Sequence, residues 1–406
     1  MCSGVSDKGD FMPQLAKKKD CIGCTACAAA CPKKCIEMYK DRDGFAYPRV
    51  VSSSDCTNCR LCEKVCPVLD LSRITEENTS AYAAFSRDDV LREKSTSGGI
   101  FSELARKILK QGGAAYGARY TENFKVAYFR AENESELSLL RGAKYAEAQL
   151  GDTFADVKRQ LESGRAVLFS GTPCKVSALR SFLRRDYDRL YCVDFVCHSI
   201  PSPTAFEKYI EYRAATDAHG VMPESIEIRS KSTGWSRFSY SSVFKYGDGT
   251  IYSISGLEDP YIKLFLSGGI SRPSCADCRF KGYSRASDIT IGDFWGIWDI
   301  APDMDDNGGT SVVLVHSPKG RRIWEELDGV ISREVALEQS SQKNMAMLGS
   351  TPSLHNRDAV MRKIRKGDFA AAISLSGRPP SLPKRCLSRG KRIIARILKK
   401  LPGGAR

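Results

Sequence analysis

Two copies of one pattern stand near the start of the chain. The first reads Cys21-Ile22-Gly23-Cys24-Thr25-Ala26-Cys27-Ala28-Ala29-Ala30-Cys31-Pro32, and the second Cys56-Thr57-Asn58-Cys59-Arg60-Leu61-Cys62-Glu63-Lys64-Val65-Cys66-Pro67, displaced by 35 positions. A C-x2-C-x2-C-x3-C-P run supplies three thiolates from one tight loop and a fourth that crosses to a second site, which is what a pair of cubane iron–sulfur clusters needs. The spacing predicts one [4Fe–4S] cluster on Cys21, Cys24, Cys27 and Cys66. It predicts the other on Cys56, Cys59, Cys62 and Cys31. The proline after each last cysteine stops the local helix and turns the thiolate back across the repeat. Zinc is the alternative for any cysteine-rich segment, but eight thiols in two tandem three-spaced sets match zinc modules poorly. Cys35 reads as a buried packing thiol beside a cluster.

The remaining composition bounds the context. The chain has 406 residues, 16 cysteines, 42% hydrophobic and 27% charged residues, the make-up of a globular protein of two or three domains. No apolar run reaches the roughly 20 residues that span a bilayer. Residues 1–20 are polar, end in Lys17, Lys18 and Lys19, and lack the apolar stretch of a signal peptide. A cytoplasmic location is therefore expected, where so many cysteines serve metal rather than disulfides. The formal charge of +14 is concentrated. Ten Lys/Arg and no Asp/Glu lie between Arg378 and Arg406, leaving +4 for all the rest. The excess thus argues against a nucleic-acid-binding body and for a separate basic tail. Within it, Ile393, Ile394, Ile397, Leu398 and Leu401 share one helical face. Such a helix suits an anionic membrane surface at the inner face or an acidic partner.

From Ser80 to about Ser376, strand-like and helix-like patterns alternate. Strands are expected at Ala81–Ser86, Ala114–Tyr120, Ala166–Ser170, Leu190–Cys197, Asp288–Gly292 and Thr310–His316, with helices at Gly99–Lys110 and from Pro173 to Arg185. Ser236–Ser255 reads as a hairpin turning at Gly247-Asp248-Gly249. The fold class is α+β: a bacterial ferredoxin-like two-cluster module at 1–72, a larger mixed α/β core at 80–376, and the tail at 377–406.

Four features of the core carry chemistry. Thr96-Ser97-Gly98-Gly99 precedes a helical pattern, and hydroxyl capping with bare glycine N–H groups either makes an anion site or simply caps the helix. Gly171-Thr172-Pro173-Cys174 joins a strand to a helix and puts Cys174 at the helix N-terminus, where a thiolate is favoured. Cys197-His198 ends a strand, and Cys275-Ala276-Asp277-Cys278 is a C-x2-C pair in a loop. Together Cys174, Cys197, Cys275 and Cys278 complete a set of four, enough for a third cluster. Gly292-Asp293-Phe294-Trp295-Gly296 follows a strand and suits either the edge and face of a planar cofactor or an aromatic core corner. Cys192 lies inside a strand pattern and reads as core.

In this order the ferredoxin repeat, Thr96–Gly99, Arg141-Gly142-Ala143-Lys144-Tyr145, Gly171–Cys174, Asp194–His198, Cys275/Cys278 and Asp288–Gly296 resemble the coenzyme F420 hydrogenase/dehydrogenase beta-subunit family, in a form with a fused N-terminal two-cluster ferredoxin. The resemblance implies an FAD-containing iron–sulfur oxidoreductase with a flavin-binding core. It implies that the four core cysteines hold a cluster near the flavin, and that Thr96, Ser97, Gly98, Gly99, Lys144, Tyr145, Gly171, Thr172 and Asp293 line the flavin site. Lys144 would stabilise anionic reduced flavin and His198 would carry a proton; a solvated lysine and a structural histidine are their bland alternatives. No G-x-G-x-x-G follows a strand, so a fused nicotinamide domain is not expected. Electrons would run between a redox donor or acceptor protein, the clusters, FAD and a small or conjugated substrate. The rival expectation is an electron-transfer subunit without a substrate site.

Overall fold

Apolar runs in the core demand cover on both faces. Ser311–Val315 is buried along its whole length and Val167–Gly171 at four of five positions, so both belong inside a sheet flanked on each side. The computed structural model describes residues 13–72, 74, 79–236 and 239–377. Its strands in chain order are β1 (Ile36–Lys40), β2 (Ala46–Val50), β3 (Ser80–Ser86), β4 (Ala114–Tyr120), β5 (Val126–Ala131), β6 (Val167–Gly171), β7 (Leu190–Phe195), β8 (Ser225–Ser230), β9 (Ser241–Lys245), β10 (Ile251–Ser255), β11 (Ile289–Asp293), β12 (Ser311–Val315) and β13 (Val330–Val335).

The large sheet runs β13-β3-β12-β11-β7-β6-β4-β5. Its middle strands β4, β6, β7 and β11 are mutually parallel, and antiparallel strands extend it on both sides. The carboxyl ends of β6, β7 and β11 therefore lie side by side, the usual place for a ligand in a parallel sheet. Gly171 pairs with Asp194, and Phe195 with Ile291. Gly292 is required there for close approach: an added Cβ would sit 2.7 Å from Val196 Cγ2.

The helix Pro173–Leu183 joins β6 to β7. Proline at its start is pre-set for the first turn, and nine of its eleven residues are buried, so it is a pillar and not a surface element. A smaller sheet, β10-β9-β8, packs with the helices Pro203–Asp217, Pro260–Leu266, Arg357–Arg365 and Phe369–Ser376 around Phe206, Tyr209, Phe244, Tyr261 and Phe369.

The N-terminal segment is the ferredoxin-like module that the repeat predicts. Short helices Ala26–Ala30 and Leu61–Lys64 flank the antiparallel pair β1–β2. The repeat is visible in the backbone itself. Gly23 (φ 62°) matches Asn58 (φ 53°), and Thr25 (φ 64°) matches Arg60 (φ 53°). Left-handed residues at equivalent places curl each loop and turn its N–H groups inward, an arrangement that holds anionic groups. Phe45, Tyr47 and Val65 share one apolar cluster with Phe169, Val176 and Leu179, so this module is packed on the core.

Several expectations need correction. β5, β8 and β13 have no counterpart in the sequence reading; β13 is largely exposed and carries almost no alternation to read. Gly99 is not in the helix Ile100–Lys110 but is its N-cap, in the left-handed conformation. The hairpin's first strand begins at Ser241, and residues 237 and 238 of that expected strand lie outside the described residues. The basic tail from Arg378, with Cys386, and the first twelve residues, with Cys2, lie outside them too. No helix among the described residues is long and apolar enough to cross a membrane.

Candidate functional site

Three groups of thiols are brought together. Cys21, Cys24, Cys27 and Cys66 line one cavity of the N-terminal module, with Cys62 at its border. Cys31, Cys56, Cys59 and Cys62 line the second, with Cys35 beside them. The cross-over of the fourth cysteine in each repeat, read from the spacing, is thus how the chain folds. Backbone N–H groups of Ala26, Ala28, Glu63 and Val68 act on the sulfurs of Cys24, Cys27, Cys62 and Cys66, the contacts that tune a thiolate-held cluster. Burial pushes the Cys24 thiol up to about 12, so as free thiols these groups are protonated. Cys59 is exposed, which puts the second set at the surface. Cys35 is buried, as expected, and its N–H lies 3.3 Å from Cys31 Sγ.

The third group comes from three remote segments. Cys174 follows β6, Cys197 follows β7, and Cys275 and Cys278 flank the short turn Pro273–Asp277. That turn is laid against β7's exit by the pairing of Pro201 with Ser271 and by Ser202 N–H bonding Ile270 O at 2.8 Å. Cys197 feels Cys275, Cys174 and Cys278 electrostatically, and Cys174 feels Cys278. The Ile200 N–H points at Cys275 Sγ (3.3 Å), and Thr172 Oγ1 is 3.1 Å from Cys174 Sγ. The helix N-terminus does not make Cys174 acidic: burial pushes its thiol up, against the pull of Lys175. Among the described residues no three His, Cys, Asp or Glu side chains converge tightly enough to grip a single ion. Tetrahedral zinc with sulfur at about 2.3 Å needs such convergence, whereas a cubane spreads its thiolates around a larger body.

Beside Cys197 the two sheets enclose a polar crevice that the sequence did not announce. Arg229 sits on a bulge of β8, between Ile228 and Ser230, with φ 69°. A bulge re-aims its side chain, and here the guanidinium turns inward to Asp293 Oδ2 at 2.8 Å. The rings of Trp235, Tyr240 and Trp295 surround it at 4.6, 4.8 and 5.4 Å. Arg229 Nε and Nη2, Asp293 Oδ1, Trp235 Nε1 and His198 Nε2 are buried with no hydrogen-bond partner. Buried polar groups rarely stay unsatisfied without a reason. The Tyr145 hydroxyl is raised by burial and drawn down by Arg229, and it also feels Cys197. His198 is pushed below the ordinary imidazole value by burial and by Lys281, and its ring packs on Phe265 at 4.7 Å.

The remaining candidates fall in different places. Lys231 Nζ binds Ser97 O and Gly308 O, each at 2.7 Å, and so ties the Thr96–Gly99 turn to the crevice wall. That turn makes no hydroxyl cap. Ser97 Oγ bonds Thr310 O (3.0 Å), and the Gly98 N–H is spent on Ser311 Oγ (2.9 Å). Gly98 is a packing glycine, since a Cβ there would lie 2.5 Å from Ala84 O. Gly98→Ala should therefore lower stability by about 1–3 kcal/mol, the usual cost of overpacking; denaturant unfolding that left the midpoint unchanged would contradict this. Gly171 and Thr172 lie with the core thiols, where Gly171 leaves room for the Tyr128 hydroxyl (2.7 Å to an added Cβ). Lys144 joins neither group. Its ammonium caps the helix Glu134–Leu140, bonding Leu139 O, Leu140 O, Arg141 O and Gly142 O, a favourable place for a cation at a helix C-terminus. Burial alone would bring it down to about 7.

Thiol-lined cavities of this form define an iron–sulfur electron-transfer protein, and comparison with known proteins agrees. Residues 20–69 match the 4Fe-4S dicluster domain. Over residues 164–339 the chain belongs to the family formed by the C terminus of the coenzyme F420 hydrogenase/dehydrogenase beta subunit, which makes its core an oxidoreductase-family domain. No curated protein matches the chain significantly. Among solved structures, a chain of the F420-reducing [NiFe] hydrogenase complex from Methanosarcina barkeri is similar at 17% identity and a TM-score of 0.45, covering 75% of this chain and 92% of its own.

Proposed function

We propose that the protein is an iron–sulfur flavoprotein oxidoreductase with three [4Fe–4S] clusters and one FAD, moving electrons between a redox partner protein and a small or conjugated substrate. The residues that would hold the clusters are the three thiol groups described above. Those that would hold FAD are Arg229, Asp293 and Tyr145, with Trp235 and Trp295 as flanking rings and the Ser97 turn as one wall. The observation that carries the reading is the unsatisfied Arg229–Asp293 pair beside Cys197. It offers two donors and one acceptor in a water-poor, aromatic crevice, matching the alternating polar edge of an isoalloxazine ring.

A bound flavin exchanges single electrons with clusters and a hydride equivalent with substrate. Arg229 supplies a fixed positive charge where negative charge would gather on reduction. The indoles keep water away. Tyr145 and His198 are the groups able to hand over a proton, a role that Lys144 is placed too far along its own helix to share. Cys59 at the surface marks the second thiol set as the one that meets the partner. The family's description names coenzyme F420, a deazaflavin of the conjugated-substrate class.

Anaerobic purification followed by iron, sulfide and flavin analysis tests this. About twelve iron and one FAD per chain are expected. About eight iron would remove the core cluster, and no flavin would remove the proposed chemistry. Turnover of a metabolite with a reduced donor separates the enzyme from a pure electron-transfer protein.

A further inference from the structure

Between the first N-terminal thiol set and the core set lie three buried charges that none of the chemistry above uses. Lys175, next to Cys174, sends its ammonium away from the core sheet to Ile22 O (3.2 Å) and Gly23 O (2.7 Å), carbonyls of the Cys21–Cys24 loop. Arg272, three residues before Cys275, bonds Cys21 O (2.8 Å) and Ala46 O (2.7 Å). Glu147 joins them, 2.7 Å from Arg272 Nη1 and 3.9 Å from Lys175 Nζ, and also accepts from the Ala46 N–H at 3.2 Å. The side chains are 4%, 0% and 5% exposed for Lys175, Arg272 and Glu147. Gly23 is shaped by this group as much as by its cysteines. A Cβ there would stand 2.7 Å from Arg272 Nη1 and 2.8 Å from Glu147 Oε1.

Two cations against one carboxylate leave a net positive charge in a dry place, where charges are weakly screened. Lys175 favours the anionic forms of both Cys24 and Cys174, and Arg272 those of Cys174 and Cys275. The groups that act on Cys62, in the outer set, are Glu63 and Cys31 instead.

We propose that Lys175, Arg272 and Glu147 form a fixed-charge bridge that sets the reduction potentials of the two clusters it joins, those at Cys21/Cys24/Cys27/Cys66 and at Cys174/Cys197/Cys275/Cys278. The bridge makes these two electrical neighbours and leaves the Cys31/Cys56/Cys59/Cys62 cluster as the outer one. The proposal rests on the cluster reading given above. A reduced cluster gains one negative charge, so a positive bridge favours reduction.

The test is an EPR-monitored redox titration of the full chain, which needs no turnover. Lys175→Met should make the two bridged clusters about tenfold harder to reduce, a shift of about 59 mV for one electron. Glu147→Gln, which raises the bridge's net charge, should shift them the other way, and Lys175→Arg should restore the original values. The outer cluster should not move. Equal shifts of all three clusters, shifts of the same sign in both variants, or no shift would overturn the proposal. Loss of iron in Lys175→Met and Glu147→Gln alike would reduce the bridge to a structural strut and overturn it as well. A missing core-cluster signal in the unsubstituted chain would instead overturn the cluster reading itself.

Discussion

The Cys197→Ser variant is expected to purify with about eight iron atoms per chain in place of about twelve, with the N-terminal clusters intact. Cys197 is the best of the core thiols to remove. It is the one that feels all three others, and it lies beside the crevice through Tyr145, so its loss should also end flavin reduction through the clusters. A serine hydroxyl is nearly the size of the thiol and leaves packing intact, so circular dichroism should be unchanged. Cys192→Ser is the control. That thiol is fully buried in β7 beside Arg180 and Asp288, away from the set, and its iron should stay at the full value. Unchanged iron in Cys197→Ser would remove Cys197 from the ligand set.

Arg229→Met should cost the protein most of its flavin. The substitution takes away the two unsatisfied donors of the crevice and leaves the nearly buried Asp293 carboxylate without its partner, a loss of about 3–5 kcal/mol when such a pair is broken from one side. Loss of stability alone could mimic loss of binding, and the double variant Arg229→Met/Asp293→Asn separates them. Removing both charges should recover much of the stability, because replacing a whole buried pair is far cheaper than breaking it. Flavin content should stay low, because the donors and the charged acceptor are gone. Flavin at the original stoichiometry in the double variant would show that the crevice is not where it binds.

These two experiments fall on opposite sides of what can be read from the chain. Cys197 is identifiable because thiol chemistry is scarce and its residues are few: once eight cysteines are spent on the repeat, the remaining ones are easily weighed. Asp293 is visible for a similar reason, standing in Gly-Asp-Phe-Trp at a strand end. Arg229 is not. It is one arginine among many in a strand of ordinary alternation, and its role arises from a bulge that register with β9 creates. Lys144 fails the other way. Its place in a motif suggests a ligand contact, but whether an ammonium meets a cofactor or the carbonyls of its own helix depends on where that helix ends.

Spacing alone determined the N-terminal module, down to which fourth cysteine serves which loop. Within 46 residues from Cys21 to Cys66 the geometry is local, and loop length leaves the thiols few alternatives. The central strands were likewise readable, because a strand covered on both faces must be apolar throughout. Only the tertiary structure decided that Cys174, Cys197, Cys275 and Cys278 meet, that Arg229 closes on Asp293, and that Lys175, Arg272 and Glu147 lie between two thiol sets. Each of these joins residues from separate strands or loops through sheet order and close packing. Such contacts depend on how the whole chain is arranged, and no short window of residues carries that information.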